Sequence, residues 1–194
     1  MKLYMLDTDD VSADDIRAAK ALFPKRFERA ARFSNRIGAS GVIAAGILLH
    51  RALGIRDESA ILFTAEGKPY LADGPGFSLS HSGARCVLAV SEGPVGADIE
   101  GLDESNLIAA PAALSEAELE WIAPAPLERF HLLWTRKESI YKALGGFTDP
   151  KQIPALEERL PGGLRVRSIL LGGYALSVCC RDADALTPES IIRS

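Results

Sequence analysis

A chain of 194 residues, 47% hydrophobic and 25% charged, has the composition of a soluble globular protein and not of a disordered or fibrous one. Its length allows one good hydrophobic core or two small lobes that share one. With 22 Lys and Arg against 26 Asp and Glu the net charge is −4, so no global attraction to nucleic acid or anionic lipid is expected.

The apolar start Met1 to Leu6 gives way at once to Asp7, Asp9, Asp10, Asp14 and Asp15, which is no signal peptide. A basic stretch follows, in which seven Lys and Arg against the single Glu28 give residues 17 to 36 a local charge of +6. Lys25, Arg29, Arg32 and Arg36 recur at the period of one helical face, with Phe23, Phe27 and Ala30 on an apolar one. Such a face is either solvated or a dock for phosphate groups or an acidic protein surface.

Helical spacing of Val42, Ala45, Gly46 and Leu49 predicts a core helix over 39–53, stopped at Gly54. Its apolar run, Val42 to Leu49, is far shorter than the roughly 20 residues of a membrane-spanning helix. Strands are predicted at 60–64, 77–80, 85–91 and 95–100, separated by the turn chemistry of Gly67-Lys68-Pro69 and Gly93-Pro94, and together they read as a β-meander.

Ser115 and Glu118 form a capping-box pattern ahead of a short helix that Pro124 and Pro126 should end. Residues 127–144 predict the longest helix, with Phe130, Leu133, Trp134, Ile140, Tyr141 and Leu144 on its apolar face. Residues 164–171 and 174–180 flank Gly172-Gly173 as a hairpin, and the tail after Arg181 is expected to be loosely held. Cys86, Cys179 and Cys180 are an odd number with no disulfide framework, which points to a reducing cytoplasm.

The order helix, strands, hairpin occurs twice, so the expected fold is α+β. It has two similar fused lobes related by a pseudo-twofold, each a helix on a small antiparallel sheet. Residues 1–94 form the first lobe, 95–194 the second, and the active site lies at their junction. Asp98 and Glu100 are two apart in an extended segment, so both carboxylates leave one face and suit a hard cation. The same pattern is common on exposed strands. Glu138 and Lys142 are four apart on one helical side, either a surface ion pair or a base with a phosphate clamp. Ser80-His81-Ser82-Gly83 ends a strand in a polar turn able to cap itself or donate to phosphate. No P-loop, dinucleotide fingerprint, zinc spacing or nucleophile elbow is present in the sequence.

Taken in order, Gly67-Lys68-Pro69, Phe77-Ser78-Leu79-Ser80-His81-Ser82, Val95-Gly96-Ala97-Asp98-Ile99-Glu100 and Trp134-Thr135-Arg136-Lys137-Glu138-Ser139-Ile140-Tyr141-Lys142 resemble the 4′-phosphopantetheinyl transferases. The resemblance is to the longer, monomeric class typified by the enzyme that activates surfactin synthetase. It implies transfer of phosphopantetheine from coenzyme A, a substrate, to a serine of an apo acyl or peptidyl carrier protein. That is the holo-acyl-carrier-protein synthase reaction of fatty acid, polyketide or nonribosomal peptide synthesis.

By the same resemblance Asp98, Glu100 and Glu138 are metal ligands for Mg²⁺, with Mn²⁺ an alternative, and Asp98, Glu138 and Lys142 are catalytic. Lys68, Ser80, His81 and Lys142 bind coenzyme A. Gly41 stands where relatives commonly carry a coenzyme A-binding arginine, and Arg36 is the candidate to replace it. Carrier contacts are expected along residues 101–114, including Leu107 and Ile108. A coenzyme A-binding module without activity and a metal-dependent phosphodiesterase are the alternatives.

Overall fold

The computed structural model describes residues 1–32 and 36–194, with residues 36–38 and 109–111 described by their backbone alone. The chain opens with strand β1 (Lys2–Asp7), then helices α1 (Ala13–Leu22), α2 (Pro24–Ala30) and α3 (Arg36–Leu53). Short strands β2 (Leu62–Phe63) and β3 (Pro69–Tyr70) precede β4 (Gly76–Ser82), β5 (Arg85–Ser91) and β6 (Gly96–Gly101). Then come helices α4 (Ala110–Ala113), α5 (Glu116–Ile122) and α6 (Pro126–Leu144). Strands β7 (Arg159–Leu160), β8 (Leu164–Leu171), β9 (Tyr174–Cys180) and β10 (Ile191–Arg193) complete the chain.

Two four-stranded sheets have the orders β10-β1-β5-β4 and β6-β9-β8-β7. Helix α3 packs on the first and α6 on the second, which gives the expected α+β recurrence. Leu3, Met5, Val87 and Ala89 from one sheet and Ala97, Ile99, Leu176 and Val178 from the other make a shared core. On the opposite faces, Cys86 and Leu88 meet Leu48 and Leu49 of α3, while Val166 and Cys179 lie in the cluster of Leu133 and Ile140 of α6. The period-two alternation of each strand thus supplies both cores.

Several expectations change. The predicted meander is split: β5 pairs with β1 and β4, and after Gly93-Pro94 the chain crosses to the second sheet, where β6 pairs with β9. The basic stretch is not one helix, because Pro24 lacks a backbone N–H and restricts Phe23 (φ −131°, ψ 60°), so α1 ends there and α2 begins. Pro126 likewise starts α6, at its first turn, as well as following α5. The tail is held: Ile191–Arg193 pairs in parallel with β1, which also makes the first sheet mixed and not purely antiparallel. The capping box at Ser115 and Glu118 forms as predicted.

Gly96 sets the distance between β6 and α6. A Cβ there would collide with the carbonyl oxygen of Ser139 and lie 2.8 Å from the amide nitrogen of Ala143, both backbone atoms of α6. Gly96→Ala is therefore expected to destabilise the fold by about 1–3 kcal/mol and to lower activity, because Asp98 and Lys142 flank the contact. Gly93→Ala, whose Cβ meets nothing within 4 Å, should leave both unchanged. Thermal melts and initial rates of the two variants check this, and an unperturbed Gly96→Ala would contradict it.

Candidate active site

Strands β4 and β6 are edge strands of different sheets, and an edge leaves alternate backbone N–H groups unpaired. Here serine hydroxyls of β4 take them. Ser78 Oγ accepts from the amide of Ala97 at 3.0 Å, Ser80 Oγ from Ile99 at 3.4 Å and Ser82 Oγ from Gly101 at 3.1 Å. The alternation of Phe77-Ser78-Leu79-Ser80-His81-Ser82 puts all three on one side. A hydroxyl can donate while it accepts: Ser80 donates to Asp98 Oδ1 at 2.7 Å and Ser82 to Glu100 Oε2 at 2.8 Å.

From the second half, Lys142 Nζ reaches Asp98 Oδ1 at 2.6 Å and the Ala97 carbonyl at 3.2 Å. The surface ion pair between Glu138 and Lys142 that their spacing allows is not what forms, since Lys142 pairs with Asp98 instead. Asp98 is only 3% exposed, and its Oδ2 is buried without a hydrogen-bond partner among the described residues.

Burial pushes Glu100 up from the ordinary carboxylate range, the Ser82 hydrogen bond opposes this, and the charges of Asp98 and Glu138 add to it. Burial and the Asp98 charge likewise raise Glu138, against the pull of Lys142. The three carboxylates therefore share one low-dielectric seam, in which burial first and neighbouring carboxylates second disfavour the charges of Glu100 and Glu138. Among the described residues no three of His, Cys, Asp and Glu are gathered tightly enough to hold a metal ion as they stand. The all-oxygen donor set, the orphaned Asp98 Oδ2 and the raised Glu100 and Glu138 nevertheless fit a hard divalent cation, which would relieve all three penalties.

Beside this seam, a cavity of about 220 Å³ is lined by Arg26, Arg29, Phe63, Ser80 and His81 among others. Arg26 is only 7% exposed and among the described residues its Nε has no partner, so a guanidinium stands desolvated next to a second arginine. Desolvation comes first in holding His81 below its ordinary range, followed by the cations Lys142 and Arg29. The imidazole lies on α3 at Gly41, where a Cβ would come within 2.5 Å of His81 Nδ1. A larger residue at 41 and this histidine position exclude one another. The side chain of Arg36 lies outside the described residues. A second cavity of about 370 Å³ runs between the halves past Lys68, Phe77, Tyr141, Lys142 and Leu144. The ammonium of Lys68 donates to the carbonyls of Lys142 and Val95.

The structure thus brings Ser80, His81, Asp98, Glu100, Glu138 and Lys142 to one seam. Sequence reading gave no separate part to Ser82 or Gly96 and left Arg26 inside a basic run read as either a solvated face or a phosphate dock. The signals for Ser82 and Arg26 were the serine alternation and the restart of the helix at Pro24, which turns Arg26 inward.

A family profile described as the 4′-phosphopantetheinyl transferase superfamily matches residues 94–179. The chain is 37% identical over 161 residues to the 4′-phosphopantetheinyl transferase AcpT of Salmonella typhi, covering 78% of this chain and 82% of that protein. It is 36% identical over 140 residues to AcpT of Escherichia coli strain K12, covering 68% and 71%. To a 4′-phosphopantetheinyl transferase of Bacillus subtilis it is 30% identical over 159 residues, covering 75% and 70%. On these matches the chain belongs to the 4′-phosphopantetheinyl transferase superfamily and is an enzyme of that class.

Proposed function

We propose that this protein transfers the 4′-phosphopantetheine arm of coenzyme A to a serine hydroxyl of an apo acyl or peptidyl carrier protein, with release of adenosine 3′,5′-bisphosphate. One observation carries the site assignment: Asp98 is buried with one oxygen held by Ser80 of the first half and Lys142 of the second, and the other oxygen unpartnered. Asp98, Glu100 and Glu138 are the residues to hold Mg²⁺, or Mn²⁺ in its place. A cation held there would supply charge neutralisation for the pyrophosphate.

The carrier serine oxygen forms a bond to the phosphorus on the pantetheine side while the bond to the nucleotide-side phosphate oxygen breaks. Glu138, or a water that it orients, takes the serine proton, and its raised affinity for protons suits that role. Lys142 faces the leaving oxygen and offsets its charge. Arg26, Arg29, Ser80 and His81 line the cationic pocket for the nucleotide phosphates, and Lys68 lies along the wall of the neighbouring cleft.

The two sheets with α3 and α6 packed on them support the longer, two-lobed class, and a monomer is part of that reading. A division at residues 94 and 95 follows that reading, with β10 returning to the first half. Three free, buried cysteines suit a reducing cytoplasm, and among the described residues no helix is long and apolar enough to cross a membrane.

His81 gives this reading a pH signature. Its folded value is depressed, whereas a bound phosphate favours the imidazolium, so nucleotide binding takes up a proton between the free and bound values. Affinity for adenosine 3′,5′-bisphosphate is expected to rise a few-fold as pH falls through that window, and the rise should vanish in His81→Ala. Titration calorimetry across pH measures it, and a pH-independent affinity would count against a phosphate at His81.

Intact mass of apo carrier incubated with the protein, coenzyme A and Mg²⁺ tests the function. A phosphopantetheine adduct on the carrier serine is expected. Unmodified carrier with intact coenzyme A would point to a binding module, and cleaved coenzyme A without adduct to a phosphodiesterase.

A further inference from the structure

We propose that Lys68 is a positioning residue that caps the C-terminal end of α6 and so fixes Lys142, and that its ammonium is not a ligand of the nucleotide. The backbone of Lys68 is set by a tight turn. Thr64 N donates to the Lys68 carbonyl at 2.9 Å, Gly67 N to the Thr64 carbonyl at 2.9 Å and Lys68 N to Thr64 Oγ1 at 3.2 Å, with Gly67 at φ +83°. From that turn the side chain crosses between the halves and places Nζ 2.6 Å from the Lys142 carbonyl and 3.1 Å from that of Val95.

Carbonyls of a last helical turn lack intrahelical partners and carry the negative end of the helix dipole, where a cation is favourable. Gly145 and Gly146, at φ +66° and +79°, break the helix just past Lys142. Gly145 N takes the Tyr141 carbonyl, and the next one, that of Lys142, goes to Lys68. Val95 directly precedes β6, so the same ammonium ties the start of the Asp98 strand to the end of the helix that carries Lys142. Among the described residues Lys68 makes no ion pair with a carboxylate. Its ammonium is half-buried on two carbonyls, and burial lowers its proton affinity.

The kinetic part of the test rests on the transferase reading; the exchange and resonance parts do not, so the two can fail separately. Lys68→Met is expected to lower kcat about tenfold or more while the Kd for coenzyme A stays within about twofold. Amide exchange at Ala143, Leu144 and Gly145 should accelerate in the same variant, and Lys68→Arg, which keeps charge and donors, should restore both. A Kd raised about tenfold with kcat and exchange unchanged would overturn the proposal. If Lys68→Met does not fold, the unsubstituted protein carries the test through the side-chain nitrogen resonance of Lys68, assigned by its loss in Lys68→Arg. That resonance should be protected from solvent exchange and stay in place on saturation with adenosine 3′,5′-bisphosphate. Its displacement by the nucleotide would overturn the proposal.

Discussion

Asp98→Asn is expected to lower kcat/KM by about a thousandfold or more. The substitution keeps the size of the side chain and changes its chemistry at both oxygens. The oxygen bonded to Ser80 and Lys142 loses its charge, so the Lys142 ammonium is left without its carboxylate partner. At the unpartnered position an amide nitrogen can stand, which is a donor and no metal ligand. Folding should survive, because Asn keeps an acceptor for Ser80 and the surrounding core of Ala97 and Ile99 is untouched. Steady-state rates with coenzyme A and apo carrier, beside a melting curve, read this out. Near-normal turnover would remove Asp98 from the machinery.

Lys137→Met is expected to cost about 3–5 kcal/mol of stability. Lys137 is 1% exposed and pairs at 2.6 Å with Glu118, itself 5% exposed, and it also donates to the Pro150 carbonyl at 2.7 Å. Methionine fills the same space but strands the buried Glu118 carboxylate, whose other oxygen accepts from the Ser115 amide in the capping box. The double variant Lys137→Met, Glu118→Gln should recover much of the loss, since Gln keeps an acceptor for Ser115 and carries no charge. Urea denaturation of both variants measures the coupling, and a single variant as stable as the parent would contradict the buried-pair account. The pair ties α5 to α6 one residue before Glu138, so a loss of activity in the single variant that the double variant recovers is also expected.

How much of this was legible in the sequence depended on whether a feature was local. Residues 85–91 and 174–180 are short apolar runs bounded by turn residues, buried on both faces, and fold as strands as read. The two-residue spacing of Asp98 and Glu100 and the four-residue spacing of Glu138 and Lys142 marked the seam groups from pattern and resemblance together. The partners of those groups were not legible, because periodicity says which face a side chain leaves and not which strand lies opposite. The serine alternation of β4 could not announce that its edge would meet the edge of β6, nor that Lys142 would turn to Asp98 and Lys137 to Glu118. Residues 191–193 are too few to show a period, and their order comes from β1 alongside them. The inward turn of Arg26 depended on where Pro24 restarts the helix, a break that a single helical wheel over the basic run conceals.

The central claim is that phosphopantetheine transfer takes place at the β4–β6 seam, with the carboxylates of both strand and helix on one cation. A crystal structure of the protein with coenzyme A and Mn²⁺, read by the anomalous signal of manganese, tests it most directly. The predicted result is one manganese peak within ligand distance of Asp98, Glu100 and Glu138, with the nucleotide phosphates beside Arg26, Arg29 and His81. A manganese peak away from Asp98, or coenzyme A seated outside the cavities that flank the seam, would contradict the account.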